Sequence, residues 1–398
     1  MAGCQNKIVP ISKGHVALSL GVAVVWLAVA GPAWASKQSI PKSEQPAPPE
    51  LLLEGGRKLT FERSFSSERE VKVKLGFWTR MLNVVVGEPD YHRMMRPYSV
   101  VTDSHGRIIV TDPGAGGIHI FDFSQQKYKF ISHEKGNDSL EVPQCVALDA
   151  ADNIYVTDSE AGKIFVFRPD GKFDRVIGSL KGGEGFFKRP TGIAVDSQAQ
   201  RIYVTDTLRN EIFVLDMQGN VLQTIGATKN SLQLNAASES GEAGATQPSD
   251  QEHLAFNYPT ELRLTSSTLH SAASDELIVV DAMNFRIEAL DRSGDFRFAI
   301  GHNDDSPGGV FRPKGVGVDS EGHIYVAEGL SGLVQVFDRA GQLLYYFGQK
   351  GTGFGEFQIP TGLFIDRDDR VYVVDSYNRR VQVFHYFGIK QVPAGGGR

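Results

Sequence analysis

Between Gly192 and Gly226 the chain alternates short apolar runs with polar turns. Gly192–Asp196 is a short, small-sided apolar run. A polar turn leads to Arg201–Asp206, which alternates apolar and polar positions. A short loop leads to Glu211–Asp216, and a Gly-containing turn leads to Val221–Gly226. The runs are β-branched and aromatic, and the turns carry Asp, Asn and Gly, so the pattern predicts four short antiparallel strands.

The unit repeats. Aligned on a proline, six copies start at Arg96, Val142, Arg189, Tyr258, Arg312 and Ile359, with marker prolines Pro97, Pro143, Pro190, Pro259, Pro313 and Pro360. The prolines are 46, 47, 69, 54 and 47 residues apart. A period of about 40–50 residues made only of strands predicts propeller blades. The expected fold is all-β: a single six-bladed β-propeller over residues 57–387, with four antiparallel strands per blade. The first strand of each blade is short and small-sided, which suits the crowded axis. The fourth copy (from Tyr258) is degenerate.

The sixth copy stops before a fourth strand, so the N-terminal region must close the ring. Lys58–Phe65 alternates apolar residues at a strand period. The segment 76–86 places Phe77, Met81, Val84 and Val85 at helical spacing. The preferred assignment has Lys58–Phe65 closing the last blade and a short helix near 76–86 capping the propeller. The valine run in 76–86 leaves the reverse assignment open.

Residues 1–35 differ in kind. Lys7 and Lys13, no acid, an apolar run from Val16 to Ala30 and then Ala33-Trp34-Ala35 have the layout of a cleaved secretory signal. An uncleaved N-terminal anchor is the alternative. Residues 36–56 are Pro-rich and polar and predict an extended tether, and 388–398 predict a flexible tail. The expected location is periplasmic or extracellular, with no membrane span once the signal is removed.

Composition narrows the partners. The 398 residues carry 41 Lys and Arg against 47 Asp and Glu, a net charge of −6. Losing the two leader lysines leaves 39 basic residues, a balance of −8. That argues against a nucleic-acid partner, which needs a basic footprint. The 43 glycines exceed the usual share, and the repeats place most of them in blade turns, connectors and the tail. Of the two cysteines, Cys4 lies in the leader, and Cys145 lies in an apolar run that predicts a small buried hydrophobe.

The repeat pattern P-x-G-[ILV]-[AGF]-[VI]-D, then [IV]-Y-V-x-[DE], then [IV]-x-V-[FL], resembles the NHL repeat. The copies carrying it run from Arg96 to Phe387. The Gly-rich connectors at 178–190 and 348–360 are also similar to that family. The layout of leader, Pro-rich tether, aromatic segment and six blades resembles secreted bacterial NHL propellers. That resemblance implies a non-catalytic role alongside an extracytoplasmic protein, with a multihaem cytochrome as one possible partner. Fold alone does not specify function.

Two sets of charged residues are candidates on one face of the ring. The second strands end in Asp112, Asp158, Asp206, Asp281, Glu328 and Asp375. Six acids at equivalent places can form an anionic rim for a cation such as Ca²⁺. The preferred expectation is structural: acids at strand ends accept hydrogen bonds from their own loops. Arg96, Arg189 and Arg312 precede blade prolines and are expected on the same face, to hold an anionic group or to form an ionic lattice with the acids. Glu261 replaces the usual glycine of an innermost strand and is expected to approach the axis.

A zinc lyase on this fold resembles the peptidylglycine-amidating type and needs histidines converging near the axis. Here His105 and His323 fall in turns after the first strands, and His119 lies within a third strand. His92, His133, His253 and His302 fall in connectors of differing length. No cofactor or metal is expected, and no catalytic residue is assigned. The insertion 227–254 is polar and acidic and is expected to be a loop over the edge between blades 3 and 4. The expected function is protein binding or scaffolding by rigidly presented loops. The alternative is a metal-dependent lyase or lactonase-like hydrolase with an axial site. A sensor role ranks third.

Overall fold

A computed structural model describes residues 49–71, 91–132, 139–226, 255–265, 276–303 and 308–388. The leader, residues 36–48 of the tether, the segment 76–86, the insertion 227–254 and the tail from 389 lie outside these residues.

The described residues form six antiparallel sheets, one for each repeat. Five sheets have four strands in simple up-and-down order, as in Pro190–Asp196, Arg201–Asp206, Glu211–Asp216 and Val221–Ile225 of blade 3. The first strands contact one another in a closed ring, from blade 1 through blade 6 and back to blade 1. Six buried apolar clusters fill the wedges between neighbouring blades, one per interface. Each blade thus supplies half of two cores, and none is complete alone.

Crowding at the axis explains the small residues of the first strands. A Cβ on Gly192 would stand 2.7 Å from the Leu262 backbone nitrogen, and one on Gly362 would stand 2.5 Å from the Tyr98 carbonyl. Neither distance is tolerable, so these positions admit no side chain.

Lys58–Phe65 closes the ring. It pairs antiparallel with Arg380–Phe387, placing Leu59 opposite Tyr386 and Phe61 opposite Phe384. Its Phe65 is buried against Phe121 of blade 1, with ring centroids 4.9 Å apart. Glu50–Leu52 adds a short fifth strand outside it, so residues read from sequence as tether also belong to blade 6. A fifth outer strand covers an edge that would otherwise present unpaired backbone groups. The only helical pieces among the described residues are the 3₁₀ turns Glu54–Gly56 and Glu68–Glu70. The expected helix at 76–86 lies outside those residues. Among them, no helix is long and apolar enough to cross a membrane.

Candidate docking face around the axis

The six acids that end the second strands are fully or almost fully buried. Their role follows from the marker prolines. Pro143 and Pro190 lie directly across the ladder from Asp158 and Asp206, and the same holds for Pro259, Pro313 and Pro360. Proline offers no N–H to that ladder. The carboxylate instead takes N–H groups from the residues just before the proline. Asp112 accepts from Met95 and Arg96 at 2.6 and 2.9 Å, Asp206 from Lys188 and Arg189 at 2.8 and 3.0 Å. Asp281 accepts from Asn257, Glu328 from Arg312 and Asp375 from Gln358, at 2.7, 2.9 and 2.7 Å. Several of these acids also bond their own loops, as Asp158 does with Glu160 and Ala161.

Cations that face these acids come from positions other than those expected. Asp206 pairs with Arg209 at 3.4 Å, Asp281 with Arg286 at 3.0 Å and Asp375 with Arg380 at 2.8 Å. His119 stands 3.2 Å from Asp112, which its hydrogen bond helps to hold below the usual carboxylate range against the effect of burial. Arg96, Arg189 and Arg312 reach the acids through backbone N–H groups only, so the lattice expected from their side chains is not formed. All three are exposed, and their guanidinium groups have no ion-pair partner among the described residues. Lys314, just inside Pro313, is a fourth cation of this face that the repeat pattern did not single out. Burial and the like charges of Arg312 and Arg189 lower its pKa.

The floor of the mouth is Glu261. Its side chain is buried, and Arg263 Nη2 stands 2.6 Å from Oε1. Burial pushes this carboxyl up to about 7 against the pull of Arg263. Arg263 is fixed in turn by the Leu363 carbonyl at 3.2 Å and lies over the Phe364 ring. Cys145 is buried, and the field of Glu261 adds to burial in raising its pKa.

Around the mouth lies an apolar crescent. Two residues beyond the second-strand acid, blades 3 to 6 place Leu208, Met283, Leu330 and Tyr377, each 39–60 % exposed. Phe311, beside Arg312, is exposed as well. Blades 1 and 2 carry Gly114 and Glu160 at the same position, so the crescent covers four consecutive blades. The signal was available in the sequence as a fixed offset from each acid.

The opposite face is built from the acids that end or follow the first strands. Asp149, Asp319 and Asp366 each cap their own turn and accept the hydroxyl of Tyr155, Tyr325 or Tyr372. A recess of about 760 Å³ opens there, lined by Asp103, Asp149, Asp196 and Asp366 with Arg292 and Arg367. Asp103, His105 and Asp152 can bring ligand atoms within 4.8 Å of one another. Their carboxylates hold the turn: Asp103 accepts from His105 and Arg107, and Asp152 from Ser104. Five of the six described histidines are dispersed: His92, His105, His119, His323 and His385 face five different carboxylates.

Residues 137–262 match a family described as a 6-bladed beta-propeller, and residues 357–384 match the NHL repeat. The fold is a six-bladed β-propeller whose last blade matches the NHL repeat. No curated protein matches this sequence. Among solved structures, a protein of unknown function from Bacteroides thetaiotaomicron is 13% identical, with 74% of this chain and 70% of that one covered and a TM-score of 0.51. An auxiliary nutrient binding protein from the same organism is 12% identical over 74% and 69% of the two chains, also at 0.51. A virginiamycin B lyase from Staphylococcus aureus is 14% identical over 75% and 85%, at a TM-score of 0.48. At such identities the likeness is one of fold alone, so the function of this propeller must be argued from its own faces.

Proposed function

We propose that this propeller is an exported, non-catalytic binding module that docks another extracytoplasmic protein on the face bearing the loops between second and third strands. The observation that carries this reading is the apolar crescent beside three exposed arginines. Leu208, Met283, Leu330 and Tyr377 leave apolar surface in water on rigid loops, and Arg96, Arg189 and Arg312 add cations that have no ion-pair partner among the described residues. Exposed apolar patches rimmed by polar groups mark interaction sites, and Tyr, Met and Arg are enriched where proteins meet. The basic leader, its apolar run and Ala33-Trp34-Ala35 support export. Against an axial metal-dependent hydrolase stand the dispersed histidines and a Glu261 shut in by Arg263.

The test is the double variant L208S/Y377S, made in the full chain. It removes two anchors without touching a buried residue. The expected result is unchanged thermal unfolding and loss of the protein recovered with the wild-type chain from the periplasmic fraction. Recovery of that same protein at wild-type yield overturns the reading.

A further inference from the structure

We infer that the axial mouth between Arg189, Arg312 and Lys314 is a receptor for a protein carboxylate, inserted by the partner that docks on the apolar crescent. The source of the carboxylate rests on the docking reading; the anion site itself rests on the geometry of the mouth.

The three cations belong to two blades that are not neighbours. Arg189 ends the connector into blade 3, while Arg312 and Lys314 flank the proline that starts blade 5. The first strands form a closed ring, so both positions open on one mouth, with blade 4 between them. Their backbones are fixed, since Arg189 donates its N–H to Asp206 at 3.0 Å and Arg312 donates to Glu328 at 2.9 Å. The side chains therefore leave from rigid points. The Arg189 guanidinium stands 3.5 Å from the Tyr258 hydroxyl. The stem of Lys314 lies along Gly329, where a Cβ would stand only 3.1 Å from its Cγ. Glycine at that loop makes room for the lysine.

Among the described residues, no carboxylate forms an ion pair with Arg189, Arg312 or Lys314. Glu328 is turned to the backbone of Arg312, Glu261 is engaged by Arg263, Asp206, Asp281 and Asp375 hold their own arginines, and the exposed Glu160 of blade 2 forms no ion pair with the three cations. Lys314 is half-buried and lies within the field of both Arg312 and Arg189, so an entering anion relieves a like-charge contact. Guanidinium groups match the planar oxygen pair of a carboxylate. The surroundings favour a protein source. Phe311 adjoins Arg312, and Leu330 is on the next loop of the same blade, so the anion meets apolar neighbours on arrival.

Titration of the full-length wild-type protein distinguishes the sources of anion. The probes are acetyl-Gly-Leu-Phe with a free C-terminal carboxylate, the same peptide as its amide, acetyl-Gly-Asp-Phe-amide and inorganic phosphate. Binding is followed by NMR shifts and calorimetry at low salt. At least one carboxylate peptide is expected to bind roughly tenfold or more tightly than the neutral amide, and R189Q and K314M each to weaken it to a similar degree. K314M keeps the apolar stem, so loss of binding reports the charge. Equal affinity for acid and amide, no binding of either carboxylate peptide at millimolar concentration, or binding of phosphate alone overturns the inference. The two readings fail separately. If L208S/Y377S leaves partner recovery intact while the peptides still bind at Arg189 and Lys314, docking on the crescent fails and the anion site stands. If that variant loses the partner while no carboxylate peptide binds, the anion site fails and docking stands.

Discussion

Asp158 lies directly across the ladder from Pro143, and its carboxylate takes the N–H groups of Val142 and Glu141 at 2.9 and 2.6 Å. The same carboxylate bonds Glu160 and Ala161 on its other side. One buried side chain thus ties the connector entering a blade to the loop between its second and third strands. D158A would strand several buried donors at once and is expected to cost about 3–5 kcal/mol. D158N keeps the shape but loses the charged acceptor and is expected to cost about 1–2 kcal/mol. Urea unfolding measures both; a D158A protein as stable as wild type would show that water satisfies those donors equally well.

The axial glycines differ in kind from the turn glycines. At Gly315 a Cβ would stand 2.2 Å from the Thr361 carbonyl of the next blade, whereas at Gly106 it would meet nothing within 4 Å. Gly106 instead has φ +75°, which any other residue adopts at a cost. G315A is therefore expected to lose about 2–3 kcal/mol by forcing two first strands apart. G106A is expected to lose only about 1 kcal/mol. Thermal melts of the pair separate the two mechanisms, and equal losses would mean that the axis relaxes freely.

The repeat made the fold legible because the same physical demands recur in every blade. Proline, the apolar run and the strand-two acid are bound to one another by the ladder, so they recur together at fixed spacing. Lys58–Phe65 was legible from its period of two. Glu50–Leu52 was not, since three residues carry no period and their pairing is set by the strand beside them. At the candidate site the positions of Arg96, Arg189 and Arg312 were legible, but their partners were not. The acids turned to backbone N–H groups because proline had left those groups outside the ladder. Lys314 was missed because its importance lies in Arg189 and Arg312, which only closure of the ring brings near it.

Ring closure predicts a cooperative cost far from the axis. Phe65 is buried between blades 6 and 1 and packs on Phe121 and Phe123 at 4.9 and 5.2 Å. F65A is expected to cost about 3–5 kcal/mol in a single unfolding transition. A chain starting at residue 66 removes the partner of Arg380–Phe387 and uncovers a long edge. Gel filtration is expected to show it associated; a monomer with wild-type unfolding would mean that blade 6 holds without its N-terminal strand.

Glu261 gives the protein a pH dependence of definite sign. Its folded-state value is raised to about 7 from an ordinary 4.5, because burial outweighs the neighbouring Arg263. The folded state therefore holds this proton more tightly than the unfolded state does. The resulting stabilisation is complete below about pH 4.5 and is lost as pH rises through about 7. Glu328, raised to about 7, and Glu288, raised to about 8, add to the same trend. E261Q removes one contribution and leaves the other two. The stability of E261Q relative to wild type is expected to improve by about 1–3 kcal/mol between about pH 5 and about pH 8. Denaturant unfolding at both values reads this directly. Parallel profiles would show that Glu261 stays ionised in the folded protein throughout, held by Arg263 strongly enough to cancel its burial.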